Sequence, residues 1–202
     1  MKILHIDSSI MGDNSASREI SAAVVNHLKE RRLAQGRTDV EVTYRDLAAE
    51  PLPHLTLDIF LKLDAGKDVQ EFLAADVVVI GAGFYNFSIP SQLKAWLDRI
   101  AVRGKTFSYD ENGPKGLAAG KRVIVALARG NIYGEGSPFA AYEHAETLLR
   151  SIFSFIGIAD PEFIVAEGLG RGEEARSAAI SGALAQAGLI AATTRAPSAA
   201  IV

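Results

Sequence analysis

The chain has 202 residues, of which 49% are hydrophobic, so it can fold around one full-sized core and is too apolar to be disordered. Its net charge of −3 and its pI of about 5.8 argue against nucleic acid or an anionic membrane as the main partner. It contains no cysteine, which excludes disulfides, thiol catalysis and thiolate metal sites.

The N-terminal part of the sequence predicts a strand, a loop and a helix. Residues 2–6 form an apolar run of strand length, without the hydrophobic region of a signal peptide. Since the sequence also has no apolar run of transmembrane length, we expect a soluble, cytoplasmic protein. Apolar residues from Ile20 to Leu28 recur at helical spacing, so residues 6–18 join a strand to a helix that ends near Gly36.

The later elements are predicted from hydrophobic periodicity and turn residues. Four more strands are expected, the first at a sheet edge with Val40, Val42 and Tyr44 alternating against polar residues: 39–45, 76–81, 121–128 and 160–166. Helices are expected at 55–63, 69–74, 88–100, 139–156 (with Tyr142 on its buried side) and 171–189, before a loose tail at 196–202. Residues 102–120 contain the turn pair Asn112-Gly113, which predicts a hairpin outside the main sheet.

Strands and helices alternate along the whole chain, without a repeat or a shift in composition that would divide it. This alternation is typical of an α/β fold with a parallel sheet. We therefore expect residues 1–202 to form a single domain. Its predicted architecture is a flavodoxin-like, doubly wound, five-stranded parallel sheet of order 2-1-3-4-5, with helices on both faces.

In that strand order, three unusual loops follow neighbouring strands and meet at the carboxyl edge of the sheet, where such folds bind ligands. Residues 8–17 are rich in serine and open a helix, which favours a phosphate, although an ordinary polar helix cap fits this loop alone equally well. Residues 81–87 offer three aromatic rings and an amide, and residues 129–136 offer glycines with Arg129 and Asn131. Together they describe a flavin mononucleotide (FMN) pocket.

The same loops carry a family resemblance. Residues 84–94 (FYNFSIPSQLK), 96–99 (WLDR), 107–109 (FSY) and 128–131 (ARGN), with the serines of the first loop, resemble the FMN-dependent NADH-azoreductases. These enzymes are flavodoxin-like relatives of the NAD(P)H:quinone oxidoreductases, and the likeness spans essentially the whole chain. It implies that the FMN phosphate is held by Ser9, Ser15, Ala16 and Ser17. It also implies that the ribityl chain and the ring are lined by Phe84, Tyr85, Asn86 and Phe87, and that the polar edge is reached by Ala128, Arg129, Gly130 and Asn131.

The resemblance implies a ping-pong reaction in which NADH or NADPH reduces bound FMN, which then reduces a quinone or an azo compound. The cofactor performs the hydride chemistry, so no catalytic side chain is expected, and the four scattered histidines give no metal site. A homodimer is also implied, with the substrate pocket completed by Phe60, Phe107, Tyr109 and Tyr133. Members of the family often have Pro-Met at Gly83-Phe84, Ser at Ala128 and Gly at Asn131, and the bulkier Phe84 bears on substrate preference.

Two other functions remain open from the sequence. One is an electron-transfer flavodoxin without its own nicotinamide-driven turnover, and the other is a flavin-free regulatory domain on the same scaffold. A dinucleotide fingerprint at residues 81–86 is weak, because the third glycine is absent and the motif follows the third strand. The sequence also leaves the choice between NADH and NADPH open, as well as the natural acceptor.

Overall fold

A five-stranded parallel sheet forms the centre of the computed structural model, which describes residues 1–193. Its strands are β1 (Lys2–Asp7), β2 (Glu41–Asp46), β3 (Val77–Gly83), β6 (Arg122–Ala128) and β7 (Glu162–Ala166). Two short strands, β4 (Phe107–Asp110) and β5 (Gly113–Gly116), form a separate antiparallel hairpin. The order β2-β1-β3-β6-β7 confirms the predicted order 2-1-3-4-5, and the hairpin lies outside the main sheet as expected.

Helices cover both faces of this sheet. They are α1 (Ala16–Ala34), α2 (Leu57–Phe60), α3 (Lys67–Ala74), α4 (Ser91–Ile100), α5 (Ala145–Phe155) and α6 (Glu173–Ala192). Residues of α1 and α6 pack in one core cluster, and residues of α3, α4 and α5 pack in another on the opposite face. Because β3 lies between these layers, all seven of its residues are buried, as its continuous apolar run predicts.

The start of α5 differs from the prediction. Residues 140–142 form a 3-10 turn, and Tyr142, expected on the buried side of a helix, is 49% exposed. The helix begins later because the Glu143 side chain accepts hydrogen bonds from the amides of Ala145 and Glu146, each at 2.9 Å. A side chain that satisfies these amides caps the helix at this point.

The exposed face of β2 is also different from the prediction. The strand lies at the sheet edge as expected, but Val42 and Tyr44 are 37% and 50% exposed. Neither residue belongs to a core cluster. The Tyr44 ring instead lies 5.0 Å from the ring of His5, and its hydroxyl donates to Asp7 at 3.1 Å.

Two further expectations concern the chain ends and the region before β3. The predicted helix at 55–63 is reduced to the single turn of α2, followed by a 3-10 turn at Leu63–Ala65. The loose tail expected at 196–202 lies outside the described residues. Within the described part of the chain, no helix combines the length and the apolar character that a membrane crossing requires.

Candidate functional site

The first loop ends at a helix start with free hydrogen-bond donors. Ser15 is the N-cap of α1, and its side chain accepts from the Arg18 amide at 3.3 Å. The Ser15 and Ser17 hydroxyls lie 3.1 Å apart and are buried. The amides of Ala16 and Ser17 donate to nothing within residues 1–193. Free amides at the positive end of a helix dipole suit an anion.

The second loop contains a tight turn with two residues in the left-handed region. The amide of Tyr85 donates to the Ser88 carbonyl at 2.9 Å, and the amide of Ser88 donates back at 3.1 Å. Between them, Asn86 and Phe87 have φ of 48° and 72°, although neither is glycine. A non-glycine residue in this conformation costs free energy, and such strained residues cluster at functional sites in native structures. The turn leaves both side chains exposed at the carboxyl edge of the sheet.

Hydrogen bonds join the second loop to the other two. The Tyr85 hydroxyl lies 2.9 Å from the Ser9 hydroxyl and accepts from the Ile10 amide at 3.2 Å. On the other side, the Phe84 amide donates to the Ala128 carbonyl at 3.0 Å. The Tyr85 ring reaches the first loop by folding over Gly83, where a Cβ atom would lie 2.8 Å from it. Tyr85 therefore connects two loops, whereas the sequence suggested that its ring lines a flat wall.

The third loop is held by a buried arginine. Arg129 is 2% exposed, and its guanidinium lies 2.8 Å from Glu167, 3.0 Å from Glu143 and 3.1 Å from Glu146. Its side chain is thus directed at carboxylates that lie just before α5, within α5 and just after β7. Nothing in the sequence indicates these three partners, because Glu143 and Glu146 fall within the helix predicted at 139–156 and Glu167 follows the last predicted strand.

The backbone of the third loop continues the pairing of β6 with the chain after β7. The Leu169 amide donates to the Arg129 carbonyl at 3.2 Å, and the Gly170 amide donates to the Gly130 carbonyl at 2.7 Å. In the part of the chain that is described, the amides of Gly130 and Asn131 have no acceptor. The loop therefore presents backbone donors, while the Arg129 side chain holds it in place.

Aromatic rings extend from the second loop to the third. Phe84 lies 4.6 Å from Tyr133, and Phe87 lies 5.1 Å from Tyr142, measured between ring centroids. Tyr133 also lies 6.3 Å from Phe139. The sequence does not predict Phe139 and Tyr142 as neighbours of these rings, because both fall in the segment predicted to be a helix. Pro138 does not separate them from that helix, because it stands directly before residue 139, where proline is compatible with a helix start.

Of the four predicted substrate-pocket residues, the structure places Tyr133 alone among the aromatic rings of the loops. Phe107, on β4, packs against Phe155 at 4.7 Å and Tyr109 at 5.6 Å. Phe60 lies on α2 and is 56% exposed. Phe60, Phe107 and Tyr109 thus have no ring contact with the second or third loop within one copy of the chain.

A groove of about 630 Å³ opens beside the second loop, a volume typical of small-molecule sites. Tyr85 and Asn86 line one end, and α4 contributes Ser91, Gln92 and Ala95. Leu55, which precedes α2, lines the groove as well. Among residues 1–193, no group of histidine, aspartate and glutamate side chains could hold a metal ion.

Comparison with known proteins gives consistent matches. A family model described as a flavodoxin-like fold matches residues 1–189. An FMN-dependent NADH:quinone oxidoreductase of Methylorubrum populi is 52% identical over 199 residues, which cover 91% of this chain and 96% of the relative. FMN-dependent NADH:quinone oxidoreductase 2 of Bradyrhizobium diazoefficiens is 54% identical over 198 residues, with the same coverage of 91% and 96%. The crystal structure of an azoreductase from Bacillus anthracis matches with a TM-score of 0.83 at 28% identity, covering 95% of this chain and 98% of that one.

Proposed function

Since this chain belongs to the flavodoxin-like protein family, we propose that it is an FMN-dependent NADH:quinone oxidoreductase that also reduces azo compounds. The junction of the three loops carries this proposal. Tyr85 hydrogen-bonds the second loop to Ser9, and Phe84 hydrogen-bonds it to Ala128. Hydrogen-bond donors that suit a phosphate, exposed aromatic rings and free amides therefore lie at one edge of the sheet. An FMN molecule needs all three of these features.

The donors in the loops fit the parts of FMN. The free amides of Ala16 and Ser17, with the hydroxyls of Ser9, Ser15 and Ser17, would hold the phosphate. Phe84, Asn86 and Phe87 would line the ring and the ribityl chain, and the free amides of Gly130 and Asn131 would face the polar edge. We assign Arg129 to holding the third loop, because its guanidinium is paired with three carboxylates.

FMN, when bound, would supply the redox chemistry of a ping-pong reaction between NADH and a quinone. The chain's own residues orient the cofactor and exclude water. The rings of Phe84 and Phe87 lie 4.6 Å and 6.5 Å from the ring of Tyr133 and would shield the flavin from water. Backbone N–H groups at Gly130 and Asn131 would stabilise negative charge at the polar edge of the flavin, as preorganised donors do in an oxyanion hole.

The active protein is a homodimer in this proposal. Large apolar side chains are exposed along and beside α2, namely Leu55, Leu57, Phe60 and Leu61. Contiguous exposed apolar surface of this kind marks a contact with another chain, and Leu55 also lines the groove beside Asn86. The partner's copy of this surface would cover the groove. Sedimentation that shows an active, flavin-loaded monomer would contradict the dimer without affecting the redox assignment.

An absorbance spectrum of the pure protein with FMN, recorded under argon before and after NADH, tests the function. We expect protein-bound flavin that NADH bleaches and that a quinone or an azo dye restores, and NADPH serves as the comparison donor. Bound flavin that resists both nicotinamides would indicate an electron-transfer protein. A colourless protein that ignores added FMN would contradict the proposal and favour a flavin-free domain.

A further inference from the structure

Arg18 lies in the first turn of α1, beside the free amides of Ala16 and Ser17, but its guanidinium turns toward β2. Its two terminal nitrogens donate to both carboxylate oxygens of Asp46, at 2.6 Å and 2.8 Å. One of them also donates to the Ser9 carbonyl at 2.9 Å. Arg18 therefore ties the first loop to the end of an edge strand.

All four N–H groups on the terminal nitrogens of Arg18 are used within the protein. A guanidinium has five N–H groups, and four of them lie on the terminal nitrogens. Two go to Asp46, one to the Ser9 carbonyl, and the last to the Tyr44 hydroxyl at 3.2 Å. The fifth, on Nε, is buried and has no partner among residues 1–193. Arg18 thus has no accessible N–H for an anion at the helix start.

Asp46 is a fixed anchor for this arrangement. Its Oδ1 atom also accepts from the amides of Ala48 and Ala49, at 3.0 Å and 3.1 Å. The hydrogen bond from Arg18 lowers the pKa of Asp46, so the pair stays charged at neutral pH. A bidentate arginine–carboxylate pair held at both ends has a defined geometry, in contrast to a solvated ion pair.

We propose that Arg18 is a positioning residue: by holding the Ser9 carbonyl against Asp46, it shapes the loop that binds the FMN phosphate, without contacting the phosphate itself. This inference rests on the proposed function. On the opposite side of the same loop, the Tyr85 hydroxyl reaches Ser9 and Ile10, so the loop is held from both sides. If the pair is broken, the serine hydroxyls and amides lose their alignment for the phosphate.

The test compares Arg18→Gln, Asp46→Ala and the double variant, using the affinities for FMN and for riboflavin, which lacks the phosphate. We expect each single variant to weaken FMN binding about tenfold, the effect of losing a charge-assisted hydrogen bond. Riboflavin affinity should change by less than about threefold, since its ring contacts other loops. The double variant should be no weaker than the weaker single variant, because both changes break one unit.

Arg45→Gln is the matched control, since Arg45 forms a similar part-buried pair with Glu71 at 2.8 Å on the same strand but points away from the first loop. It should leave the ratio of the two flavin affinities unchanged. If Arg18→Gln weakens FMN binding while Asp46→Ala leaves it equal or tighter, Arg18 binds the phosphate directly and the proposal is overturned. Equal losses for FMN and riboflavin would also overturn it. Wild-type protein that binds neither flavin would refute the proposed function itself, and this inference with it.

Discussion

Replacing Arg129 with methionine removes the guanidinium that faces Glu143, Glu146 and Glu167 beneath the third loop. Removing one partner of a buried ion pair costs about 3–5 kcal/mol, since it leaves uncompensated charge behind. Here the glutamates keep other contacts: Glu146 pairs with Arg150 at 2.7 Å, and Glu167 accepts from the Tyr133 amide at 3.0 Å. We therefore expect a loss near the lower end of that range, about 3 kcal/mol.

For a domain of this length, a loss of about 1 kcal/mol lowers the melting temperature by 2–4 °C, so Arg129→Met should lower it by about 6–12 °C. Differential scanning calorimetry measures the shift. Arg150→Met is the control, because Arg150 pairs with the same Glu146 but its side chain is 47% exposed. An exposed pair contributes under about 1 kcal/mol, so the control should melt close to the wild type.

A second change separates charge from packing. Adding Glu167→Gln to Arg129→Met removes one of the carboxylates that repel each other, so the double variant should be more stable than Arg129→Met alone. FMN affinity should fall in Arg129→Met, because the third loop loses its anchor. The arginine does not hold the loop through charge if Arg129→Met has the same melting temperature as the Arg150→Met control. The same conclusion follows if adding Glu167→Gln destabilises Arg129→Met further.

Three other expectations concern the strands and loops nearby. Gly81→Ala places a Cβ atom 2.2 Å from Asp7 Oδ1, so urea unfolding should show a loss of about 2 kcal/mol or more, and unchanged stability would mean that Asp7 moves aside. Asn86→Ala and Asn86→Gly should both weaken FMN binding, because both remove the side-chain amide. Only alanine should also destabilise the turn, by about 1 kcal/mol, because residue 86 has φ of 48°. Unchanged FMN affinity in both variants would show that Asn86 does not belong to the site. Partial burial of the Tyr44 side chain, together with the charge of Asp7 beside its hydroxyl, raises the pKa of Tyr44 to about 12, above its ordinary value of 10.0, so the folded protein keeps a proton that the unfolded chain loses. The free energy of unfolding should therefore fall as the pH rises from about 10 to about 12, while tyrosinate absorbance follows the titration of Tyr44. A Tyr44→Phe variant whose free energy of unfolding falls equally over this range would contradict this.

The sheet could be predicted because its signals are local and one topological rule connects them. The apolar run before Gly81 indicates a strand buried on both faces, and β3 is one. Alternation of strands and helices then leaves few possible orders. Local patterns failed where a side chain from outside the pattern intervenes. Glu143 caps α5 and moves its start past Tyr142, although the hydrophobic periodicity alone predicts a longer helix.

The sequence identifies the loops that form the candidate site, but it does not identify the ion pairs that hold them. Serines at a helix start and aromatic residues after a buried strand are visible in the sequence, and the fold brings those segments together. The partner of Arg18 lies 28 residues away, and Arg129 reaches Glu167 across 38 residues. The local sequence around a carboxylate in a loop or in the first turn of a helix is the same whether the side chain is solvated or paired with an arginine. No spacing rule in the sequence therefore identifies these contacts.

These two arginines change how the site is understood. Arg18 stands in the first turn of α1 and Arg129 in the third loop, where a positive charge would attract an anionic cofactor, and each is paired with carboxylates of the same chain. Charge neutralised in this way fixes the backbone, and the backbone in turn presents the amides of Ala16, Ser17, Gly130 and Asn131. An arginine that moved to the ligand would lose side-chain entropy on binding, whereas amides already held in place lose little. If selectivity for the cofactor depends on the shape of the loops, substitutions at Asp46 and Glu167, which are remote from the proposed ligand, should weaken its binding.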